Sequence, residues 1–276
     1  MTVESRVAQH YGHGSLERAI LAGLEASGKD PARLTPADLA PIDEFHIGGR
    51  PATVEFMAQL GFEPGMRVLD IGCGIGGASR HVAQTYGCQV EGIDLTAEYV
   101  EVAALLAKRV GLSESVSYRQ ASATDLPFEA GRFDRAYMLH VGMNIADKRR
   151  LMAGVARVLK PGGVFGIYDV MREAEGDLVF PLPWASDPAF SFVDSAQRYR
   201  DELQEAGFAI EGERNRRDFA IEFFRQMQEK AAAGGPPPLG LHILMGETAP
   251  QKVANILVNL KAGRIAPVEI VGRKRG

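Results

Sequence analysis

The chain is poor in cysteine. Only Cys73 and Cys88 occur in 276 residues, too few for a disulfide scaffold or a cysteine-built zinc site, and no bound metal is expected. A reducing compartment, the cytoplasm, is the simplest expectation. No run of about 18 apolar residues occurs, so no membrane span or membrane partner is expected. The opening MTVESRVAQHYGHG lacks the apolar centre of a secretion signal. Basic charge is not in excess: 31 Lys and Arg stand against 35 Asp and Glu, a formal net charge of −4. Such a chain is not built for general nucleic-acid binding, which relies on basic surface. Internal repeats and low-complexity tracts are also missing. What remains, 46% apolar and 24% charged residues, is ordinary for a globular protein. The length suits one large domain, or one domain with an appended cap.

Organisation follows from periodicity. The first 66 residues read as helical. Ser15 precedes Leu16, Ile20 and Leu24 on one helical face. Thr35-Pro36 with Asp38 reads as a helix start. EFHIGGR (44–50) reads as a loop, with Arg50-Pro51 opening the next helix. From Met66 the pattern changes to RVLDIG strand, GGASRHVAQTY helix, CQVEGID strand and TAEYVEVAALLAKRV helix. VSYRQA, FDRAYML and GVFGIYDV continue as strands, with DKRRLMAGVARVL as a helix before the last of these. Strands alternating with such helices imply parallel βαβ units and a doubly wound α/β sheet. Residues 171–193 are irregular and rich in proline and aromatics. Then come a helix, the strand FAIEGER, two further helices on either side of GGPPP, and the strand APVEIVGRK. The basic stretches RNRR (214–217) and GRKRG read as solvated charge.

The strongest motif is VLDIGCGIGG, where a strand runs into glycines and then a helix. Glycine permits a tight turn and close approach of backbone to a ligand, and helix amides beyond it face whatever is bound. Gly72, Gly74 and Gly77 also satisfy the dinucleotide spacing, with Asp94 20 residues past Gly74. Asp70 weighs against a dinucleotide. A carboxylate two residues before the first glycine repels a pyrophosphate and attracts an ammonium group.

VLDIGCGIGG, GIDLT, ATDLPFEAGRFD and RVLKPGG together resemble the class I S-adenosylmethionine-dependent methyltransferases. GMNIADKRRLMAGVARVLKPGG is similar to the ubiquinone/menaquinone C-methyltransferase branch. HIGG and YGHG look like the sarcosine/dimethylglycine and cyclopropane-synthase-like small-molecule branches. The resemblance implies a Rossmann-like doubly wound seven-stranded sheet, mostly parallel with an antiparallel last strand. It further implies a helical amino-terminal arm or lid (1–65), a cofactor-binding core (66–216), a helical cap insertion (217–265) and a final core strand (266–276). The implied cofactor is S-adenosylmethionine, leaving as S-adenosylhomocysteine, and the implied partner is a small-molecule substrate. A homodimer stays open, as do the identity of the acceptor and of its N, O, S or C atom. Methylene transfer of the cyclopropane-synthase type is an alternative, and so is a non-enzymatic protein that only binds the cofactor.

The resemblance also assigns residues. Asp70 meets the amino-acid end of the cofactor, unless it only caps the glycine turn. Gly72, Cys73 and Gly74 form the loop, with Cys73 as a small buried filler. Asp94 takes both ribose hydroxyls, Thr96 capping the helix that follows, and Leu95 packs on adenine. Ser122-Ala123 stands where the family often has Asp-Ala, so the bond from that Asp to the adenine amino group is in question here. Leu139 and His140 face the methionine part. His46, Gly48 and Gly49 approach the carboxylate side of the cofactor. Tyr11 is a lid or sulfonium contact, and Tyr11 and His140 are the catalytic candidates; His10 and His13 read as surface residues. Asn144, Phe180 and the lone Trp184 are the substrate-side candidates.

Overall fold

The computed structural model describes residues 2–12, 14–234 and 237–276. Four helices come first: α1 (Val3–Tyr11), α2 (Leu16–Ala26), α3 (Pro36–Asp43) and α4 (Gly49–Met57). The capping signal at Thr35 is realised, because the Asp38 carboxylate accepts from both the Thr35 N–H and its hydroxyl. The loop expected over 44–50 is shorter than that. Helix α4 already begins at Gly49, its N-cap Gly48 being left-handed at φ 98°.

The core alternates β1 (Arg67–Ile71), α5 (Gly77–Tyr86), β2 (Gln89–Asp94), α6 (Ala97–Arg109), β3 (Val116–Gln120), β4 (Phe133–Leu139), α7 (Lys148–Val158) and β5 (Leu159–Arg172). It continues with α8 (Ala196–Glu205), β6 (Phe208–Asn215), α9 (Arg217–Gly234), α10 (His242–Met245), α11 (Ala249–Lys261) and β7 (Ile265–Lys274). The seven strands form one sheet in the order β3-β2-β1-β4-β5-β7-β6. Strands β1 to β5 pair in parallel, and β7 pairs antiparallel with both β5 and β6. The last strand of the chain therefore lies inside the sheet.

Alternation along β1 shows how the sheet is covered. Leu69 and Ile71 join a core with Leu151, Val155 and Phe165 on one face. Val68 joins Ala52, Phe56 and Val82 on the other. Both faces are buried under helices, as parallel sheets require. Asp70 falls on the α5 face by the same two-residue period. RNRR departs from expectation. Arg216 is buried and pairs with Glu269 of β7, which is 1% exposed, and Arg214 pairs with the same carboxylate while staying partly in solvent. A buried carboxylate needs such partners, since desolvation otherwise penalises its charge.

Strand order reverses between β1 and β4, which opens a crevice at their carboxyl ends. Helices α9, α10 and α11, inserted between β6 and β7, close over it. Helix α10 joins an apolar cluster with α2 and α6 through Leu244, Leu16 and Leu106. Helices α9 and α11 pack on Trp184 and Leu182 through Phe224 and Ile256. The connection from α1 to α2 is tied down separately. The Gly14 and Leu16 N–H groups donate to Glu98 on α6, each at 2.8 Å.

Candidate functional site

The crevice is a cavity of about 900 Å³. Its floor comes from the loops after β1, β2, β3 and β4, its sides from α1 and the α3–α4 loop, and its roof from α9 to α11. Tyr11, His46, Gly49, Asp70, Gly72, Cys73, Gly74, Asp94, Leu95, Ser122, Ala123, Leu139, His140, Asn144 and Trp184 all face it. Gly48 and Phe180 are not among the residues that line it. Gly48 instead lets two elements meet: a Cβ there would lie 2.5 Å from Phe219 of α9. Phe180 packs in the small core under the cap.

The glycine loop is shaped by contact. At Gly72 φ is +69°, and a Cβ would lie 2.4 Å from Val141. Gly74 has φ +53° with nothing near its missing side chain, which leaves that backbone open to the cavity. Asp94 holds the loop from β2: its Oδ2 accepts the Gly74 N–H at 3.0 Å and its Oδ1 the Thr96 N–H at 2.9 Å. Each oxygen keeps lone-pair capacity for a further donor. Thr96 makes no side-chain cap, contrary to expectation; Asp94 serves its amide instead.

Asp70 is 2% exposed. Its Oδ2 accepts from Ser79 Oγ at 2.6 Å and Tyr137 Oη at 2.9 Å, tying α5 to the sheet. Burial pushes its carboxyl up to about 7, against the pull of those two hydroxyls. Burial also lifts the Cys73 thiol far above its ordinary value. It is a filler with no thiolate to offer at neutral pH.

His140 is the one non-glycine residue with positive φ among the described residues, at 54°. Its N–H donates to the Tyr168 carbonyl at 2.7 Å. Its Nδ1 faces the same carbonyl at 3.2 Å, and the Ile47 N–H approaches its Nε2 at 3.4 Å. A carbonyl only accepts, so Nδ1 carries the proton and Nε2 is the basic position. Burial, then the neighbouring His46, hold this imidazole well below its ordinary value. His46 is fixed by the same logic. The Thr53 hydroxyl spends its proton on Glu44 at 2.6 Å, so His46 Nε2 must donate to Thr53 Oγ1 at 2.8 Å. That leaves His46 Nδ1 bare and without a partner. Burial, then Arg50, push His46 down to about 4.

Tyr11 ends α1 inside the cavity. Asn144 Nδ2 donates to its hydroxyl at 3.2 Å, and its ring meets Phe45 and Tyr99. Burial raises its phenol, so it stays a neutral donor. His10 is half-buried rather than free on the surface, with its Nε2 2.9 Å from the Pro183 carbonyl. His13 lies outside the described residues.

Two parts of the site were not foreseen. Glu4 of α1 takes the hydroxyls of Ser122 and Thr124, so the arm places a carboxylate where the sequence has none. The roof residues Phe223, Phe224, Met227 and Met245 are the other part. The amphipathic pattern of α9 marks a buried face but not which surface it covers.

Residues 69–167 match the family model described as a methyltransferase domain. Among curated relatives, O-methyltransferase resE of Aspergillus sclerotiorum is 32% identical over 57% of this chain and 60% of its own length. Phosphoethanolamine N-methyltransferase 1 of Arabidopsis thaliana is 33% identical over 58% of this chain and 32% of its own. The chain thus spans about a third to three fifths of the length of these two relatives. Among solved structures, geranyl diphosphate methyltransferase superposes with a TM-score of 0.74 at 17% identity, over 99% of both chains. The [4+2]-cyclase SpnF superposes at 0.72 with 24% identity, over 100% of this chain and 97% of its own. Sheet order, crevice and these likenesses define a Rossmann-like fold of the kind methyltransferases use. Because a cyclase shares the fold, the activity has to be argued from the site.

Proposed function

We propose that this chain binds S-adenosylmethionine in the crevice and transfers its methyl group to a small molecule by in-line displacement. The observation that carries the reading is the Asp94 carboxylate. It is pinned to Gly74 and Thr96, faces the cavity, and keeps capacity for two hydroxyl donors. Asp70 and Asp94 both line this end, a pair of acceptors suited to an ammonium and a ribose diol and hostile to a pyrophosphate.

In this reading Asp94 holds the ribose and Leu95 lies on the adenine, beside Ala123 and Ser122. Asp70, Gly72, Cys73 and Gly74 hold the amino-acid end, with Leu139, His46 and Gly49 beside it. The bound cofactor supplies an electrophilic methyl on a cationic sulfur. The protein's part is to hold donor and acceptor at attack distance and to exclude water. His140 Nε2 is the base for an acceptor that must lose a proton, once the acceptor displaces the long 3.4 Å approach of the Ile47 N–H, and Tyr11 is the lid contact. Residues 1–65 act as arm, 66–216 as core, 217–265 as cap and 266–276 as the closing strand. The acceptor is a small molecule rather than a nucleic acid, in keeping with the net charge of −4. The two free cysteines support a cytoplasmic setting. Calorimetry with S-adenosylmethionine and S-adenosylhomocysteine tests the reading. Binding of both is expected, and no binding by either at millimolar concentration would sink it.

A further inference from the structure

We infer that the acceptor is a neutral, largely apolar molecule that carries neither phosphate nor carboxylate. This rests on the proposed function, because it assigns the Asp70–Asp94 end of the cavity to the cofactor and the roofed end to the acceptor.

The roofed end is walled by Met143, Trp184, Phe223, Phe224, Met227 and Met245. Trp184, 3% exposed, has already given its indole N–H to Ser191 Oγ at 2.9 Å. Such a wall offers dispersion and little polarity, and an anionic group placed against it loses its water without return.

The charged side chains that reach the cavity settle which charges are answered. Arg50 is the one Lys or Arg among the described lining residues. It is committed, with its Nε 2.6 Å from Glu44 Oε1 and its Nη2 3.6 Å from Asp43 Oδ2. His46 and His140 are held by Thr53 and the Tyr168 carbonyl, and His242 stands on the exposed rim. Among the described residues an anionic acceptor therefore finds no free Lys or Arg. No group of His, Cys, Asp and Glu among the described residues is placed to hold a metal ion that could bridge to a phosphate. A cationic acceptor finds no unanswered carboxylate among the described residues at the roofed end, only aromatic faces, which hold a cation less firmly than an ion pair does. Asp43 faces Arg80, Glu44 faces Arg50 and Thr53, and Glu4 lies at the adenine end, where it holds Ser122 and Thr124. Asp147 is exposed and caps α7 through the Arg150 N–H. What stays uncommitted at the roofed end is apolar surface, with the unpartnered Asn144 Oδ1 as a neutral polar atom beside it. This chain is thus set apart from any use of the fold that must grip a phosphate.

Trp184 makes the test independent of turnover. It is the single tryptophan of the chain and lines the acceptor end. The unmodified protein, saturated with S-adenosylhomocysteine, is titrated with farnesol and with cyclododecanol. Each is compared with its phosphate monoester and with the corresponding primary amine, below micellar concentration, with Trp184 emission as the signal. Saturable binding of an alcohol, tighter than its phosphate and amine by about tenfold or more, is expected. Met227→Lys places a cation in the wall and should move the alcohol-to-phosphate preference toward the phosphate by about tenfold. A phosphate or amine that binds unmodified protein as tightly as its alcohol overturns the inference. So does failure of both alcohols while S-adenosylhomocysteine still binds, which leaves the cofactor reading standing. Failure of S-adenosylhomocysteine itself overturns the proposed function and this inference with it.

Discussion

Replacing Asp94 with alanine removes the group on which the cofactor reading depends, and its cost can be worked from the structure. The carboxylate oxygens accept one amide each, at 3.0 and 2.9 Å, and have capacity left for two ribose hydroxyls. A hydrogen bond to a charged acceptor contributes about 1.5–3 kcal/mol. Two such bonds lost, with water recovering part, amount to about 2–4 kcal/mol, or roughly 30- to 700-fold in affinity. Alanine also strands the Gly74 and Thr96 amides, so some stability goes as well, about 1–3 kcal/mol for each that stays dry. Asp94→Asn separates the two effects. Its remaining carbonyl serves one amide and one hydroxyl without charge, so a loss of about tenfold is expected. Calorimetry with S-adenosylhomocysteine gives the affinities, and circular dichroism confirms the fold. Unchanged affinity in a folded Asp94→Ala protein would refute the strand-end assignment.

Gly72→Ala puts a Cβ at a left-handed position 2.4 Å from Val141. It should cost about 1–3 kcal/mol in strain alone and lower the melting temperature; an unchanged melting curve would show that the turn relaxes freely. His46 has a folded value near 4 against an ordinary 6.5, so its stabilising contribution is full above about 6.5 and is lost as pH falls toward 4. His46→Gln should therefore lose about 1–2 kcal/mol less than the unmodified protein between pH 7 and pH 5 in urea unfolding, and parallel pH curves would contradict this. Residues 2–12 and 171–193 should exchange amide hydrogens more slowly with S-adenosylhomocysteine bound, because ordering a lid costs entropy that ligand contacts offset. Equal protection would mean a preformed pocket. Glu4→Ala should speed exchange across α1, and no change would leave Glu98 as the arm's sufficient anchor.

The core was legible because its signals are local. Each strand–turn–helix step from Val68 to Tyr168 carries its own glycine, cap or alternation, and the strand-end carboxylates follow from spacing alone. The acceptor half was harder to read because it is built from long-range contacts. Phe180 sits in the same aromatic stretch as Trp184. Only packing against α11 shows that one faces the cavity and the other fills the core beneath the cap. Glu4 could not be linked to Ser122 across 118 positions by any local rule. Arg216 read as surface charge because Glu269, which answers it, lies in the last strand. Gly48 read as a cofactor glycine because HIGG resembles a cofactor-side loop, while the neighbour it makes room for, Phe219, is far away in the chain.

The most direct test of methyl transfer follows the methyl group itself. The unmodified protein is incubated with methyl-labelled S-adenosylmethionine and a panel of neutral, apolar alcohols, phenols and activated-carbon acceptors. Label should leave the cofactor and appear on an organic-extractable product, with one S-adenosylhomocysteine released per methyl moved. Tight cofactor binding with the label retained on S-adenosylmethionine across the panel would contradict the account and leave a protein that holds the cofactor without spending it.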